Sequence, residues 1–249
     1  MIVIKSKQEI ECMKQAGRIA ATALKLAGEA LRPGISTKEI DTLVHDFIIK
    51  SGAHPSFLNY GGFPGSACIS INDTVIHGIP ADQKISEGDI VSIDVGAKYQ
   101  GFHGDCANTF AVGKISPEAQ KLLDVTQQSF FEGMEKARVG NRVSDISCAV
   151  QLYCEQFGFS VVEAFTGHGV GSDLHEEPAV PNFGRAGRGP RLVAGMTLAI
   201  EPMVNMGTKE VKTLSDKWTV VTRDAKLSAH FEHTVLITNA GPVILTMPQ

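Results

Sequence analysis

Two carboxylates in the segment VSIDVGAKYQGFHGDC (91–106) are the first candidates for chemistry. Asp94 lies within an apolar run that is typical of a buried strand, and it shares its face of that strand with Ser92. Asp105 follows in the second half of the segment. A buried carboxylate needs a cationic partner, and the only nearby basic residue, Lys98, falls at the predicted tip of a hairpin. We therefore expect that no lysine or arginine of this segment pairs with either acid.

The predicted hairpin places these two acids close together. If it turns about Tyr99 and Gln100, Asp94 lies directly opposite Asp105, and cross-strand partners have Cβ atoms about 4.5–5.5 Å apart. Two buried carboxylates at this distance repel each other unless one is protonated or a cation lies between them. We favour the cation, and a salt-bridged or protonated pair is the alternative. Because Tyr-Gln is not a favoured two-residue turn, a bulge could shift the register.

Three further residues extend this set. Glu201 in MTLAIEP (196–202) lies on the face of its strand opposite the apolar side chains. His168 lies between two glycines in FTGHGVGSDLHEEP (165–178), and Glu232 stands at the head of a β-branched strand. Taken singly, each could be a structural histidine or a solvated strand end. Four carboxylates and one imidazole together indicate a metal site.

The donor set indicates the kind of metal site. Oxygen ligands with one nitrogen and no sulfur suit Mn²⁺, Fe²⁺ or Co²⁺ better than a closed tetrahedral zinc site. Five ligands are too many for one open catalytic ion, but they suit two ions roughly 3.5–4 Å apart that share carboxylates. A water between such ions becomes hydroxide near neutral pH, which predicts a hydrolase. A dinuclear phosphoesterase is an alternative, although no basic phosphate clamp is evident.

Four helices are predicted to support the strands that carry these residues. Two capping boxes, each a serine followed three residues later by a glutamate, precede apolar periodicities at Ser6 and Ser36. Ser116 followed by Pro117 is the pattern of an N-cap and a first helical residue. The predicted helices run from Ser6 to Pro33, from Ser36 to Ser51, from Ser116 to about Arg138 and from about Ser144 to Phe157.

The order of two helices followed by strands occurs twice, and residues repeat with it. The segment 31–40 aligns with residues 106 positions further along the chain. The segment 87–95 aligns with residues 107 positions further along, which places Asp94 over Glu201. A nearly constant offset across a helix start and a strand indicates an ancient duplication of an α+β unit.

The duplication predicts how the chain is organised. We expect a single domain over 1–249, with related halves at about 1–113 and 114–249, because no Pro/Gly/Ser-rich linker separates them. The halves would share one sheet. If they pack about a pseudo-two-fold axis, Asp94 and Glu201 meet, and the metal site lies at the interface between the halves.

Composition and charge argue against several kinds of partner. The chain has 23 basic and 27 acidic residues, a net charge of -4 and no long block of like charge, so it lacks the electrostatic footprint of a protein that binds nucleic acid or an anionic membrane. Five cysteines without CxxC spacing indicate neither a disulfide framework nor a thiolate zinc site. Because no signal-peptide core and no apolar run of roughly 18 residues is present, we expect a soluble, cytoplasmic protein.

The ordered set of five ligand candidates resembles the type I methionine aminopeptidases. The motifs that carry the resemblance are HGIP (77–80), TGHGVG (166–171) and IEP (200–202), and it covers essentially the whole chain. It implies the pita-bread fold, an α+β fold of two pseudo-two-fold related halves with a shared antiparallel sheet and the metal site at their interface. Without a cysteine- and histidine-rich N-terminal extension, the sequence is similar to the short bacterial form.

The resemblance implies a role for each ligand candidate. Asp105 and Glu232 would bridge two divalent ions, Fe²⁺, Mn²⁺ or Co²⁺. Asp94 would hold one of these ions, and His168 with Glu201 would hold the other. Glu201 would also relay protons, as a base toward the bridging water and then as an acid toward the leaving amine.

The resemblance also implies the residues that bind the peptide. His175 would donate a hydrogen bond to the scissile carbonyl as it becomes an oxyanion, and His77 would orient the peptide beyond the scissile bond. A monovalent cation site would involve Asn72 and Ser228. The methionine pocket would be formed by Tyr60, Phe63, Cys68 and Trp218, with Phe57, Leu174 and His77 around its mouth.

The activity implied by the resemblance is removal of the initiator methionine from nascent peptides with a small second residue, by attack of a hydroxide that bridges the two metal ions. The expected partners are nascent polypeptide N-termini and the ribosome, and the expected state is a monomer. Two rivals share the fold. One is a proline-directed peptidase, which generally carries an additional N-terminal domain, and the other is a non-catalytic peptide- or protein-binding module, which generally loses metal ligands.

Overall fold

The four predicted helices are present in the computed structural model, which describes residues 1–248. Their last residues lie one to three positions before the predicted stop residues. Within the described chain, none of them is long and apolar enough to cross a membrane. The helices are α1 (Lys7–Ala30), α2 (Thr37–Lys50), α3 (Pro117–Lys136) and α4 (Val143–Gln156).

Capping boxes explain where the first two helices begin. The Ser6 hydroxyl accepts a hydrogen bond from the Glu9 backbone N–H, and the Glu9 carboxylate accepts one from the Ser6 N–H at 2.6 Å. Ser36 and Glu39 make the same pair of contacts at 3.2 and 2.8 Å. Each box satisfies backbone N–H groups that the first turn of a helix leaves unpaired.

Helix α4 begins one residue earlier than predicted, and its cap is different. The N-cap position is Arg142, whose N–H donates to the Asp145 carboxylate at 2.7 Å. Ser144, the predicted start, lies inside the helix, and its hydroxyl donates to a carbonyl oxygen 44 residues further along the chain. Asp145 lies 106 positions after Glu39, the offset of the sequence repeat, and makes the same contact with its N-cap backbone.

Fifteen strands within residues 1–248 form one large sheet and two small ones. The large sheet contains β1 (His54–Pro55), β2 (Cys68–Ile71), β4 (Ile90–Tyr99), β5 (Phe102–Ala111), β7 (Thr166–Gly169), β8 (Glu176–Pro181), β9 (Thr197–Ile200), β14 (Glu232–Thr238) and β15 (Gly241–Ile244). One small sheet consists of β3 (Thr74–Ile76), β11 (Val211–Thr213) and β12 (Val220–Thr222). The other consists of β6 (Ser160–Val161), β10 (Met203–Asn205) and β13 (Ser228–His230).

The order of strands in the large sheet is β1-β4-β5-β14-β9-β7-β8, with β2 also paired to β4 and β15 to β14. All of these pairings are antiparallel. Helix α1 packs against β4 and β5. One buried apolar cluster joins α1, α2 and β4, and another joins α3, α4, β9 and β14. The sheet is thus supported by a separate helix pair on each side of its middle.

The hairpin between β4 and β5 turns one residue later than predicted. Gln100 and Gly101 occupy the two turn positions with φ of +47° and +88°, and Tyr99 pairs with Phe102. Two-residue hairpin turns with positive φ at both positions match the twist of the strands, and glycine adopts this conformation without a steric penalty. The turn is therefore set by Gly101.

This turn changes the partners of the two acids. Asp94 lies opposite Ala107, and Asp105 lies opposite Gly96, so the predicted direct pairing of the acids was wrong. Because the register differs by an even number of residues, both acids stay on the same face of the sheet. They are diagonal neighbours, a separation that side chains still bridge.

The relation between two halves of the chain stays a prediction, which the strand order supports. In the run β4-β5-β14-β9, the strand that carries Asp94 and the strand that leads into Glu201 occupy equivalent places on either side of the central pair. Each of these strands belongs to its own helix-supported apolar cluster. The predicted boundary at about residue 113 falls between β5 and α3.

Candidate metal centre

Five adjoining strands bring the five predicted metal ligands together, one ligand from each. In their order across the sheet the strands are β4, β5, β14, β9 and β7. In the same order the ligands are Asp94, Asp105, Glu232, Glu201 and His168, with Glu201 directly after the last residue of β9. Their side chains line one cavity, so the sheet joins positions that are far apart in the sequence.

Hydrogen bonds between strands hold the most buried acids in place. The Thr234 hydroxyl accepts from the Asp105 N–H at 3.0 Å and donates to the Asp105 carbonyl oxygen at 2.9 Å. Glu232 pairs with Ala107 where β14 meets β5. Asp105 and Glu232 are only 3% and 2% exposed. Their positions are therefore set by the sheet rather than by a loop.

His168 presents its Nε2 to the carboxylates. Its Nδ1 donates to the Gly169 carbonyl oxygen at 2.9 Å, which leaves Nε2 unprotonated in the neutral ring. Nε2 lies 3.5 Å from Glu201 Oε1 and 3.9 Å from Asp105 Oδ2. A Cβ at Gly167 or Gly169 would collide with carbonyl oxygens of the neighbouring strands. The two glycines therefore allow the close strand packing that places this ring.

Burial without a basic partner raises the pKa of every carboxyl group in the cluster. Within residues 1–248, no lysine or arginine forms an ion pair with any of them. Burial raises the pKa of Asp105 to about 7, although hydrogen bonds from the Asp94 carboxyl and the Cys106 N–H oppose this effect. Burial, and then the neighbouring negative charges, raise the pKa of Asp94, Glu201 and Glu232 well above the usual range.

Unpaired buried atoms show that a cation fits this cluster. Four such atoms have no hydrogen-bond partner in the described chain: Asp94 Oδ1, Asp105 Oδ1, Glu232 Oε1 and His230 Nε2. Each unsatisfied buried polar group costs roughly 1–3 kcal/mol, and more when it is charged. A divalent cation would satisfy these atoms and would favour the ionised form of the carboxylates. The donor atoms are those that Mn²⁺, Fe²⁺ and Co²⁺ accept.

His230 belongs to the cluster, although no motif in the sequence indicated it. It is 2% exposed, and its Nε2 lies 3.6 Å from Glu201 Oε2 and 4.0 Å from Glu232 Oε2. Burial lowers the pKa of both His230 and His168 to about 3, so both rings are neutral at pH 7. The available signal was the spacing of two between His230 and Glu232, since alternate residues of an extended chain face the same side.

An apolar pocket adjoins the metal ligands within the same cavity, whose volume is about 130 Å³. Phe63 and Trp218 meet edge to face in its wall, with ring centroids 5.2 Å apart. An engineered apolar cavity of roughly 150 Å³ binds benzene, so this volume suits one side chain of moderate size. The lining residues are all those predicted for catalysis, metal binding and the methionine pocket: Phe57, Tyr60, Phe63, Cys68, His77, Asp94, Asp105, His168, Leu174, His175, Glu201, Trp218 and Glu232.

Two histidines stand beside the metal ligands. The Nδ1 of His175 is 2.7 Å from the Tyr60 hydroxyl, and its ring centroid is 4.2 Å from that of His168. Burial lowers the pKa of His175. Burial, and then the charge of His175, lower the pKa of His77 to about 4. His77 also has a φ of +58°, which is uncommon for a residue with a Cβ and is typical of functional sites.

The residues predicted to bind a monovalent cation lie together outside the cavity. The Ser228 N–H donates to the Asn72 carbonyl oxygen at 2.9 Å. The Asn72 side-chain amide donates to the Asp89 carboxylate at 2.8 Å, and the Ser228 hydroxyl donates to the Asn205 side-chain oxygen at 2.8 Å. The structure brings the two residues together, and their role in cation binding stays a prediction.

The fold and the site together define a metal-dependent hydrolase. A carboxylate-rich metal centre lies in the middle of an antiparallel sheet and opens into a pocket for one apolar side chain. The sequence profile of metallopeptidase family M24 matches residues 11–239, and the chain therefore belongs to that family.

Proteins similar to this chain in sequence or structure are named as peptidases. The chain is 58% identical over 247 residues to a methionine aminopeptidase of Clostridium perfringens, covering 99% of each chain. Its structure superposes on a methionine aminopeptidase of Thermotoga maritima with a TM-score of 0.97 at 44% identity, covering 99% of each chain. A prolidase of Pyrococcus furiosus superposes with a TM-score of 0.80 at 25% identity, covering 99% of this chain and 66% of the prolidase. The predicted α+β pita-bread fold is confirmed.

Proposed function

We propose that this protein is a methionine aminopeptidase that removes the initiator methionine from nascent peptides with a small second residue. The observation that carries the proposal is the arrangement of the cavity, in which metal ligands form one wall and a buried apolar cluster forms another. A peptide whose first side chain fills the apolar end would present its first peptide bond to the metal ligands. High identity to a relative named methionine aminopeptidase supports the same assignment.

Two divalent ions, Fe²⁺, Mn²⁺ or Co²⁺, are the proposed cofactors. Asp105 and Glu232 would bridge them, Asp94 would hold one, and His168 with Glu201 would hold the other. Bound ions of this kind lower the pKa of a coordinated water into the neutral range. The unpaired oxygen atoms of Asp94, Asp105 and Glu232 support their role as ligands.

Glu201 is the proposed proton relay. Burial and the negative charge of Asp105 raise the pKa of its carboxyl group well above the usual range. A carboxylate at this position can take up the proton of the attacking water and then give it to the amine as the peptide bond breaks. The His168 and His230 rings lie 3.5 and 3.6 Å from the two oxygens of this carboxylate, so it is confined between them.

His175 is the proposed donor to the scissile carbonyl oxygen. The Tyr60 hydroxyl contacts His175 Nδ1 at 2.7 Å. Burial raises the pKa of Tyr60, so the phenol keeps its proton, and we propose that it donates this proton to His175 Nδ1. The neutral imidazole then carries its own proton on Nε2. That N–H can stabilise the negative charge that develops on the carbonyl oxygen.

The methionine side chain is proposed to lie against Phe63, Cys68 and Trp218. Methionine fills irregular apolar gaps and makes favourable contacts between its sulfur and aromatic rings. His77 is the proposed contact beyond the scissile bond, and its ring packs against Trp218 with centroids 6.1 Å apart. With His77 lining the cavity at this point, we propose that the site prefers a small second residue.

Peptide hydrolysis after removal and return of metal tests the proposal. Chelated protein reloaded with Mn²⁺, Fe²⁺ or Co²⁺ should release methionine from Met-Ala-Ser and much less from Met-Leu-Ser. Glu201→Gln keeps the side-chain volume and removes the acid, so this matched variant should bind the peptide and turn it over far more slowly. Absence of metal-dependent methionine release from Met-Ala-Ser would contradict the proposal. Hydrolysis of an Xaa-Pro peptide instead would favour the proline-directed alternative, and binding without hydrolysis would favour the non-catalytic module.

The proposal extends to the setting of the protein. We propose that it acts in the cytoplasm as a monomer, on polypeptide N-termini that emerge from the ribosome, with no membrane or nucleic-acid partner. The net charge of -4 supports the absence of direct nucleic-acid recognition. A monovalent cation near Asn72 and Ser228, and two related halves at about 1–113 and 114–249, belong to the same proposal. Light scattering tests the monomer, and co-sedimentation with ribosomes at rising salt tests that association.

A further inference from the structure

His230 carries a buried imidazole that is not one of the five predicted metal ligands and has no catalytic role in the proposed mechanism. It lies at the end of β13, two residues before Glu232, and is 2% exposed. Its Nε2 has no hydrogen-bond partner in the described chain. Buried polar atoms are nearly always paired, so an unpaired nitrogen that faces carboxylates calls for a partner outside the protein.

The position of this nitrogen matches that of the predicted ligand His168. His168 Nε2 lies 3.5 Å from Glu201 Oε1 and 3.9 Å from Asp105 Oδ2. His230 Nε2 lies 3.6 Å from Glu201 Oε2 and 4.0 Å from Glu232 Oε2. The two imidazoles therefore approach opposite oxygens of one carboxylate at nearly equal distances.

These distances suit shared ligation of an ion better than direct hydrogen bonds. N–H···O hydrogen bonds are roughly 2.7–3.2 Å long, and the His230 distances are longer. Two ligand atoms bound to one ion at about 2.1 Å lie roughly 3.0 Å apart at a right angle and roughly 3.6 Å apart at 120°. Ligand atoms of Glu201, His230 and Glu232 all lie within 4.8 Å of one another.

We infer that His230 is a sixth protein ligand of the metal centre, and that it binds through Nε2 an ion that Glu201 and Glu232 also hold. The inference rests on the metal centre of the proposed function and extends its donor set. The centre then has an imidazole on each side of Glu201. A second nitrogen donor favours Fe²⁺ or Zn²⁺ over Mn²⁺, because imidazole suits the former ions and carboxylate suits the latter.

Resonances of the histidine ring nitrogens, measured during a titration with Zn²⁺ alone, test this inference. In chelated protein with ¹⁵N-labelled histidine, two Nε2 resonances should move from the unprotonated to the metal-bound position as up to two Zn²⁺ are added. His168→Gln and His230→Gln should each remove one of them. His230→Gln should also weaken the binding of at least one Zn²⁺ about tenfold or more.

His233→Gln is the matched control. This half-buried ring lies on β14, three residues after His230, and its Nδ1 is 2.8 Å from the Thr246 hydroxyl. Because successive side chains of a strand face opposite sides, His233 lies on the face of β14 opposite Glu232, and its replacement should leave both shifted resonances and the Zn²⁺ affinity unchanged. Circular dichroism of each variant checks that it is folded.

The outcomes separate this inference from the proposed function. If His168 responds to Zn²⁺ and His230 does not, the inference is wrong and the metal centre stands. A protonated His230 Nε2 in the loaded protein would likewise overturn it, because the ring would then donate a hydrogen bond to Glu201. If neither ring responds, the metal centre of the proposed function fails too. Should His230→Gln fail to fold, the number of metal-bound ring nitrogens in the unmodified protein still decides the question.

Discussion

Filling the metal centre should release protons, and their number measures how strongly burial holds the carboxyl groups in their acid form. The perturbation is the addition of Mn²⁺ to chelated protein at pH 6. Burial raises the pKa of Asp105 to about 7 and those of Asp94, Glu201 and Glu232 well above the usual range. Protons on these groups must leave when the groups ligate a cation. His168 releases none, because burial has already lowered its pKa to about 3.

Asp105 alone sets the lower limit on the expected number of protons released. With a pKa of about 7, it is about nine-tenths protonated at pH 6 and about half protonated at pH 7. Its ionisation at pH 6 therefore costs roughly 1.4 kcal/mol, which weakens metal binding about tenfold. We expect about one proton from Asp105, and about four if every carboxyl group of the cluster is in its acid form. Because a raised pKa favours the protonated apoprotein, metal affinity and the stabilisation of the fold by metal should both increase from pH 5 to pH 7.

Isothermal titration calorimetry in two buffers of different ionisation enthalpy gives the number of protons released at one pH. Asp105→Asn should lower that number as well as the affinity. Glu39→Gln is the control, because hydrogen bonds from Ser36 lower the pKa of Glu39 to about 2 and this residue lies outside the cluster. Release of less than about half a proton at pH 6 with full metal binding would refute the reasoning, since the carboxyl groups would then be ionised without a cation.

Three further changes have direct readouts. His175→Ala should lower kcat for Met-Ala-Ser about 100-fold or more while elemental analysis finds unchanged metal, and loss of metal would instead identify His175 as a ligand. Trp218→Ala removes a wall of the apolar pocket and should raise KM for the same peptide, whereas an unchanged KM would exclude Trp218 from the binding site. Ser36→Ala removes the N-cap of α2 and should lower the free energy of unfolding in urea by about 1 kcal/mol, and no change would show that the cap is not stabilising.

The candidate ligands that the structure brings together could be selected because their signals are local in the sequence. Asp94 stands out as an acid in an apolar strand, and His168 stands out between glycines whose Cβ atoms would collide with neighbouring strands. The helix starts at Ser6 and Ser36 were predictable for a similar reason, since a capping box depends on two residues three positions apart.

The pairing of Asp94 with Ala107 could not be obtained in the same way. Moving a two-residue turn by one position changes every cross-strand partner while it leaves the alternation of faces intact. The pattern of apolar and polar residues is therefore the same for the predicted and the observed register. Gly101 at positive φ decides between them, together with the partners that β4 and β5 find in the rest of the sheet.

The sequence by itself determined the types of candidate ligand, the helices and the face of the sheet on which Asp94 and Asp105 lie, because these depend on neighbours a few positions apart. Only the tertiary structure decided that His230 joins the cluster. Its Nε2 lies 3.6 Å from the carboxylate of Glu201, which is 29 positions earlier in the chain. No short-range sequence pattern predicts a contact between residues that far apart. Packing of distant strands buried His230 and left its Nε2 without a hydrogen-bond partner among residues 1–248. A lone histidine thereby became a candidate ligand.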